Sequence, residues 1–271
     1  MQVTAPPRPA PAPGPLQHFA DILRSESCKL RTVRSTYWML LAVVVFNIAT
    51  AAVLGGLLPG HTSAHTQATI DSTRVSLGGL HVSQVVIGLL GVLVISSEYG
   101  AGMIRATLSA VPQRRLMLAA KTAVFTVTAL VVAPASCFAA YFAFQAFLPA
   151  GDSMRTTLSD PGVLRAVTGA GLYLAALGLF GLGLGAVTRS SAGAIATLLG
   201  VLFVPSILVS LLPQPWQDTV GQYLPMNAGE SAITVQHQAH TLQPWPGLGV
   251  FSLYAAAALI AGFFLINHRD A

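Results

Sequence analysis

The chain has 271 residues, of which 54% are hydrophobic and only 8% are charged. Soluble domains carry roughly 25% charged residues, so this composition excludes an ordinary soluble protein and predicts an all-α membrane protein. The net charge of +5 does not indicate nucleic-acid binding, because the basic residues are divided among the edges of apolar stretches.

The N-terminal 36 residues precede the first apolar stretch. Residues 1–15 are rich in Pro and Ala, which predicts a disordered cytoplasmic tail. In residues 16–36 the apolar positions recur with the period of a helix and the charged positions fall between them. This pattern predicts an amphipathic helix lying on the membrane surface. The apolar face holds Leu16, Phe19, Ile22, Leu23 and Leu30, and the charged face Asp21, Arg24, Glu26, Lys29 and Arg31. The alternative is a simple cytoplasmic extension of the first span.

Residues 37–271 form the predicted transmembrane domain. A spanning helix needs about 20 apolar residues, and six stretches qualify. They are Tyr37–Leu58, Leu77–Ser96, Ala123–Leu148, Gly162–Val187, Ser191–Leu212 and Gly247–Asn267. With a cytoplasmic N-terminus, eleven of the 14 Lys and Arg residues fall inside and only Arg74, Arg155 and Arg165 outside. The positive-inside rule therefore predicts that both termini are cytoplasmic.

Polar and small residues within the spans predict how the helices pack. Asn47, His81 and Gln84 are candidates for lining a pathway, although each residue type more often makes an interhelical hydrogen bond. The Gly181-x-x-x-Gly185 pair predicts close helix approach, within one subunit rather than between two. No acidic or basic residue falls inside a predicted span core, and Lys121 falls at an edge. The chain thus lacks an evident ion-coupling site of its own.

Residues 213–246, on the outer side, form a connection that contains Trp216, Tyr223 and Trp245. Aromatic residues of this type favour the headgroup level of a bilayer. We expect one or two short helices that dip into the outer leaflet, re-entrant or not, rather than a long solvent-facing lid.

The chemistry of catalysis is missing from the sequence. There is no Gly-x4-Gly-Lys-Ser/Thr loop to hold ATP, and no protease or lipase motif. Cys28 and Cys137 are expected on different levels of the membrane, which excludes a disulfide, and no metal-ligand set is predicted. The chain is therefore predicted not to be an enzyme and to bind no cofactor itself.

The connection between the second and third stretches carries the most informative pattern. Glu98 follows an apolar run, Gly102 frees the backbone to turn, and Pro112 ends a short segment before Arg114 and Arg115. This order predicts a short cytoplasmic segment that runs along the membrane and offers a charged surface to a soluble partner.

This pattern, Glu98-x3-Gly102-x5-Leu108-x3-Pro112, resembles the Glu-x3-Gly-Thr-x4-Leu-x3-Pro pattern of permease subunits of ABC-2-type ABC transporters, with Met103 in place of the Thr. The entry Ser25-Glu26-Ser27-Cys28-Lys29-Leu30-Arg31 resembles the Ser-Glu-x-x-Lys-Leu-Arg of many such permeases from high-GC Gram-positive bacteria. Residues 224–229 resemble a late Leu-Pro-x-x-Ala-Gly element.

The resemblance implies a multi-pass exporter subunit in the bacterial plasma membrane, working as a homodimer or heterodimer in membrane lipid. Separate ATP-binding subunits would hold ATP and Mg, and no nucleic acid is involved. The residues implied to couple to that partner are Glu26, Lys29, Arg31, Glu98, Tyr99, Gly102, Arg105, Leu108, Pro112, Arg114 and Arg115. For Arg114 and Arg115 the alternative is lipid anchoring. For the whole chain, the alternatives are a non-transporting membrane anchor or regulator of the same fold, and a stand-alone carrier or channel.

Overall fold

The computed structural model describes residues 15–61, 70–100, 114–235 and 240–268. Throughout these ranges the regular structure is helical, without a strand. Six of the described helices are long and apolar enough to cross a membrane, which confirms the prediction of an all-α, multi-pass architecture. Apolar runs of this length become helices because a helix satisfies its own backbone hydrogen bonds where no water is present.

The helices are numbered here in chain order. They are α1 Pro15–Thr32, α2 Arg34–His61, α3 Ser72–Ser76, α4 Leu80–Gly100, α5 Arg114–Phe147, α6 Val163–Thr188, α7 Ser191–Ser210, α8 Gln214–Val220, α9 Pro225–Glu230 and α10 Pro244–His268. Two 3₁₀ turns, Gly221–Tyr223 and Ser231–Ile233, follow α8 and α9. The membrane-length helices are α2, α4, α5, α6, α7 and α10.

The third spanning helix differs most from its predicted bounds. The sequence placed its start at Ala123, whereas α5 begins at Arg114 and continues through Pro134 to Phe147. Its 34 residues give a length of about 50 Å, well beyond the roughly 30 Å of a bilayer core. The extra turns bring Lys121 inside the helix rather than at its edge, because helix length is not limited to the apolar stretch.

Helix α6 is the centre of the bundle, with 72% of its most apolar segment buried. Its glycines allow α4 and α5 to approach closely. A Cβ at Gly181 would overlap the carbonyl oxygen of Gly88 in α4, and one at Gly171 would overlap the Cα of Pro134 in α5. The prediction that these small residues pack helices within one subunit is therefore confirmed.

The bundle has two chemically different ends. One end, called the α1 end, is where α1 lies beside the end of α4 and the start of α5. There the Oγ atoms of Ser191 and Ser96 lie 2.9 Å apart, and Arg189 donates to the Leu265 carbonyl at 3.3 Å. At the other lies the segment Gln214–Ile233, called the cap, which contains the predicted short helices as α8 and α9. The Asp71 side chain fastens the chain after the cap, since its Oδ2 accepts from Val235 N at 2.9 Å.

Candidate functional site

A buried ion pair joins α1 to α5 at the α1 end. Glu26 Oε2 lies 2.6 Å from Lys121 Nζ, and both side chains are only 4% exposed. The other carboxylate oxygen, Oε1, accepts from Lys29 Nζ at 2.7 Å, but the Lys29 side chain is 43% exposed. The two lysines therefore play unequal parts, because the Lys121 contact is shielded from solvent and the Lys29 contact is not.

The position of Glu26 differs from its predicted place on the charged face of α1. Ile22 and Glu26 are one turn apart and both are buried, with 5% and 3% exposure. A carboxylate is tolerated on a buried helix face only when an opposite charge meets it there. Lys121 supplies that charge from a helix 95 residues further along the chain, which a pattern read within α1 does not contain.

Electrostatics keep the Glu26 carboxyl ionised. Burial by itself would raise the pKa of Glu26, but the attraction and hydrogen bonding of Lys121, followed by those of Lys29, outweigh it. The net effect is a pKa below the ordinary value of 4.5. Glu26 is therefore a fixed negative charge at neutral pH, held between two ammonium groups.

Two cavities flank α1, one on each side of this ion pair. A cavity of about 380 Å³ lies between α1, α2 and α4 and is lined by Glu26, Lys121, Met39 and Val94. A groove of about 670 Å³ runs between α1, α2 and α5, with Leu23, Tyr37 and Val127 in its walls. Cavities therefore border the contact between α1 and α5, and the Glu26–Lys121 ion pair bridges the two helices beside them.

The remaining predicted coupling residues divide between described and undescribed parts of the chain. Glu98 and Tyr99 lie in the last turn of α4, Arg114 and Arg115 open α5, and Arg31 lies in the last turn of α1. The cavity beside Glu26 also contains Ser97, so the structure brings the end of α4 close to α1. Gly102, Arg105, Leu108 and Pro112 lie outside the described residues.

The three predicted pathway residues are in different surroundings. Asn47 Nδ2 donates to Ser136 Oγ at 3.0 Å, linking α2 to α5. Gln84 Oε1 accepts from Tyr173 OH at 2.9 Å, linking α4 to α6. Both are buried interhelical hydrogen bonds, which was the alternative to pathway lining.

His81 instead lies at the cap end, where its exposed ring places Nε2 3.3 Å from Glu230 Oε1.

Sequence reasoning did not predict the ion-pair roles of two residues, Lys121 at the α1 end and Glu230 at the cap end. For Lys121, no local signal pairs it with Glu26. For Glu230 a signal existed, because it is the only carboxylate between Asp218 and Asp270, and that largely apolar stretch holds no Lys and only one Arg, Arg269 next to its end. An isolated acid of this kind usually has a specific partner.

Comparison with known proteins leaves the family open. No protein-family model matches the chain, and no curated protein matches it significantly.

Proposed function

We propose that the chain is the membrane-spanning permease subunit of an ATP-driven exporter of the ABC-2 type. The observation that carries the proposal is the pattern Glu98-x3-Gly102-x5-Leu108-x3-Pro112, which connects two membrane-length helices. The Ser25–Arg31 motif supports it from a second place, because α1, the end of α4 and the early part of α5 surround one cavity.

The arrangement at the α1 end suits a subunit that is driven by a soluble partner. A partner pressing on α1 and on the segment between α4 and α5 would act on three helices at once. Because packed helices move as rigid bodies, such a push tilts spans rather than bending them. The partner would hold ATP and Mg, since this chain has no phosphate-binding loop. Two such permeases would form the dimer, and the termini would face the cytoplasm.

The proposal predicts that ATP hydrolysis depends on a partner. The purified chain in lipid vesicles should hydrolyse no ATP, and its cognate ATP-binding cassette protein should bind the chain and support both hydrolysis and export. A cassette variant that lacks its catalytic carboxylate serves as the control and should abolish both hydrolysis and export.

Hydrolysis by the isolated chain, or export without the cassette, would exclude this function. Binding of the cassette without export of any cargo would indicate a membrane anchor instead.

The pattern after α4 predicts where coupling is lost. We expect Glu98→Ala and Gly102→Val to leave insertion intact and ATP hydrolysis measurable, while the number of cargo molecules exported per ATP falls about tenfold or more. Loss of Glu98 removes a charge at the turn, and Val at position 102 restricts the backbone there. Transport and hydrolysis are measured together in reconstituted vesicles.

Arg114→Gln and Arg115→Gln are the comparison variants, because lipid anchoring would make them the sensitive positions. Normal coupling in Glu98→Ala and Gly102→Val would remove this turn from the mechanism.

A further inference from the structure

The cap encloses a small polar cavity that the proposed function does not use. This cap pocket has a volume of about 200 Å³ and lies between Arg74 of α3 and the cap residues Gln217, Gln222, Asn227 and Glu230. Pockets for drug-sized ligands are roughly 300–1,000 Å³. The cap pocket is therefore matched to a small polar group.

The amide side chains that line the cap pocket donate their hydrogens to the backbone. Asn227 Nδ2 donates to a backbone carbonyl of the cap at 2.8 Å, and Gln222 Nε2 to another at 3.3 Å. Gln217 Nε2 donates to two carbonyls after and within the last turn of α7, at 2.7 and 3.2 Å. Gln217 uses both of its amide hydrogens in this way and Asn227 and Gln222 each use one, while the three amide oxygens keep their lone pairs for a ligand.

The hydroxyl groups that line the cap pocket also donate their hydrogens to backbone carbonyls. Ser231 Oγ donates to the Ala228 carbonyl at 2.8 Å, and Thr234 Oγ1 donates to the Ser231 carbonyl at 3.0 Å. A hydroxyl has a single hydrogen and two lone pairs, so both oxygens remain able to accept. The polar lining contributed by the cap is thus rich in acceptors, and a ligand that complements it must bring donors.

Opposite charges stand side by side in the pocket. The Glu230 side chain is 16% exposed, and its Oε2 lies 4.0 Å from Arg74 Nη2, too far for a hydrogen bond. The other oxygen, Oε1, faces His81 at 3.3 Å. Oε2 therefore keeps acceptor capacity toward the pocket, while the guanidinium of Arg74 offers a positive charge a few ångströms away.

We propose that the cap pocket binds a small zwitterion that carries a primary ammonium group next to an anionic group, as phosphoethanolamine does. The ammonium would donate to Glu230 Oε2 and to the amide and hydroxyl oxygens, and the anion would pair with Arg74. A trimethylammonium group does not fit this chemistry, because it has no N–H to donate and is typically held by aromatic rings. The polar side chains of the lining are instead a carboxylate, amides, hydroxyls, the guanidinium of Arg74 and the imidazole of His240, and no Trp, Tyr or Phe is among the described residues that line it.

Such a group has two sources, a soluble metabolite and the headgroup of a phospholipid. Trp216 and Tyr223 of the cap and the nearby Trp245 are exposed, and aromatic side chains of this kind settle at the headgroup level. The pocket is therefore within reach of lipid headgroups as well as of soluble compounds. The chemistry recognised is the same in both cases.

The test uses the full chain in nanodiscs of phosphatidylcholine and two soluble probes, glycerophosphoethanolamine and glycerophosphocholine. Calorimetric titration should show binding of the first probe at least about tenfold tighter than the second, the difference expected for hydrogen bonds to a charged group. Glu230→Gln keeps the shape and removes the charge, and should weaken binding of glycerophosphoethanolamine about tenfold.

Asp21→Asn is the matched control, because it removes an exposed carboxylate of α1 that does not line the pocket, and should leave binding unchanged. Arg74→Gln changes a side chain that is 45% exposed, so folding should be spared. It should weaken glycerophosphoethanolamine but not ethanolamine, which has no phosphate. Equal affinity for the two probes, or wild-type affinity in Glu230→Gln, would overturn the proposal.

The same titration in phosphatidylethanolamine nanodiscs identifies the source. If the lipid headgroup fills the pocket, the soluble probe no longer binds there; if a soluble amine is the ligand, its affinity is the same in both lipids. Neither arm requires a cassette partner, so this experiment and the test of the proposed function fail independently.

Discussion

Lys121→Met should lower the free energy of unfolding by about 3 kcal/mol, the low end of the range for removing one partner of a buried ion pair. The substitution leaves the Glu26 carboxylate buried, with 3% exposure, and with Lys29 as its remaining partner. Met is close to Lys in length, so the cost comes from a buried carboxylate that keeps only the more exposed Lys29 as its partner, rather than from a cavity. Reversible unfolding of the purified protein in mild detergent measures the difference.

Lys29→Met is the matched control, because it makes the same change in the second partner of the same carboxylate. The Lys29 side chain is 43% exposed, and exposed ion pairs contribute about 1 kcal/mol or less. The double variant Glu26→Lys with Lys121→Glu should recover part of the stability that either charge reversal alone removes. If the two Lys→Met variants were equally stable, burial of the Lys121 contact would not be what makes it strong.

The pH dependence of the free energy of unfolding should also reflect the Glu26–Lys121 ion pair. The folded-state pKa of Glu26 is depressed below its ordinary value of 4.5. A depressed carboxyl pKa contributes stability that is present above the unfolded-state value and is lost as the pH falls through the folded-state value. Wild-type stability should therefore decline below about pH 4.5, and Lys121→Met should show a smaller decline from Glu26.

The fold was largely predictable from the sequence because membrane insertion is decided by local composition. Six apolar stretches became six membrane-length helices, and Gly181 and Gly185 pack against α4 as their spacing indicated. What failed was the start of α5, where the helix extends past the apolar stretch to Arg114. Composition locates the part of a helix that lipid can surround, but polar turns at its end form for reasons of tertiary packing.

The candidate site was harder to predict than the fold, because its contacts join distant parts of the chain. The helical pattern of α1 placed Glu26 on the charged face, while its real partner, Lys121, comes from α5. Asn47 and Gln84 were recognised as polar residues inside spans, but only the structure gives their partners, Ser136 and Tyr173. Residue type indicates that a buried polar group needs a partner, not which partner it has.

Gly91→Ala should destabilise the bundle by about 3 kcal/mol or more, although Ala is the better helix former. The added Cβ would overlap the carbonyl oxygen of Gly178 and lie 2.9 Å from the backbone nitrogen of Leu182. These are backbone atoms of the central helix α6, so no side chain can rotate away, and α4 and α6 must separate along their shared contact. Thermal unfolding and the yield of monodisperse protein measure the effect.

Gly200→Ala is the control, since it makes the same change within α7, where an added Cβ meets nothing within 4 Å. It should be neutral or stabilise by up to about 1 kcal/mol, because Ala loses less backbone entropy than Gly in a helix. The two variants are thus expected to differ in sign although the chemical change is identical. Similar stabilities for both would mean that α4 and α6 are not in backbone contact at Gly91, and the packing around α6 would have to be looser than described.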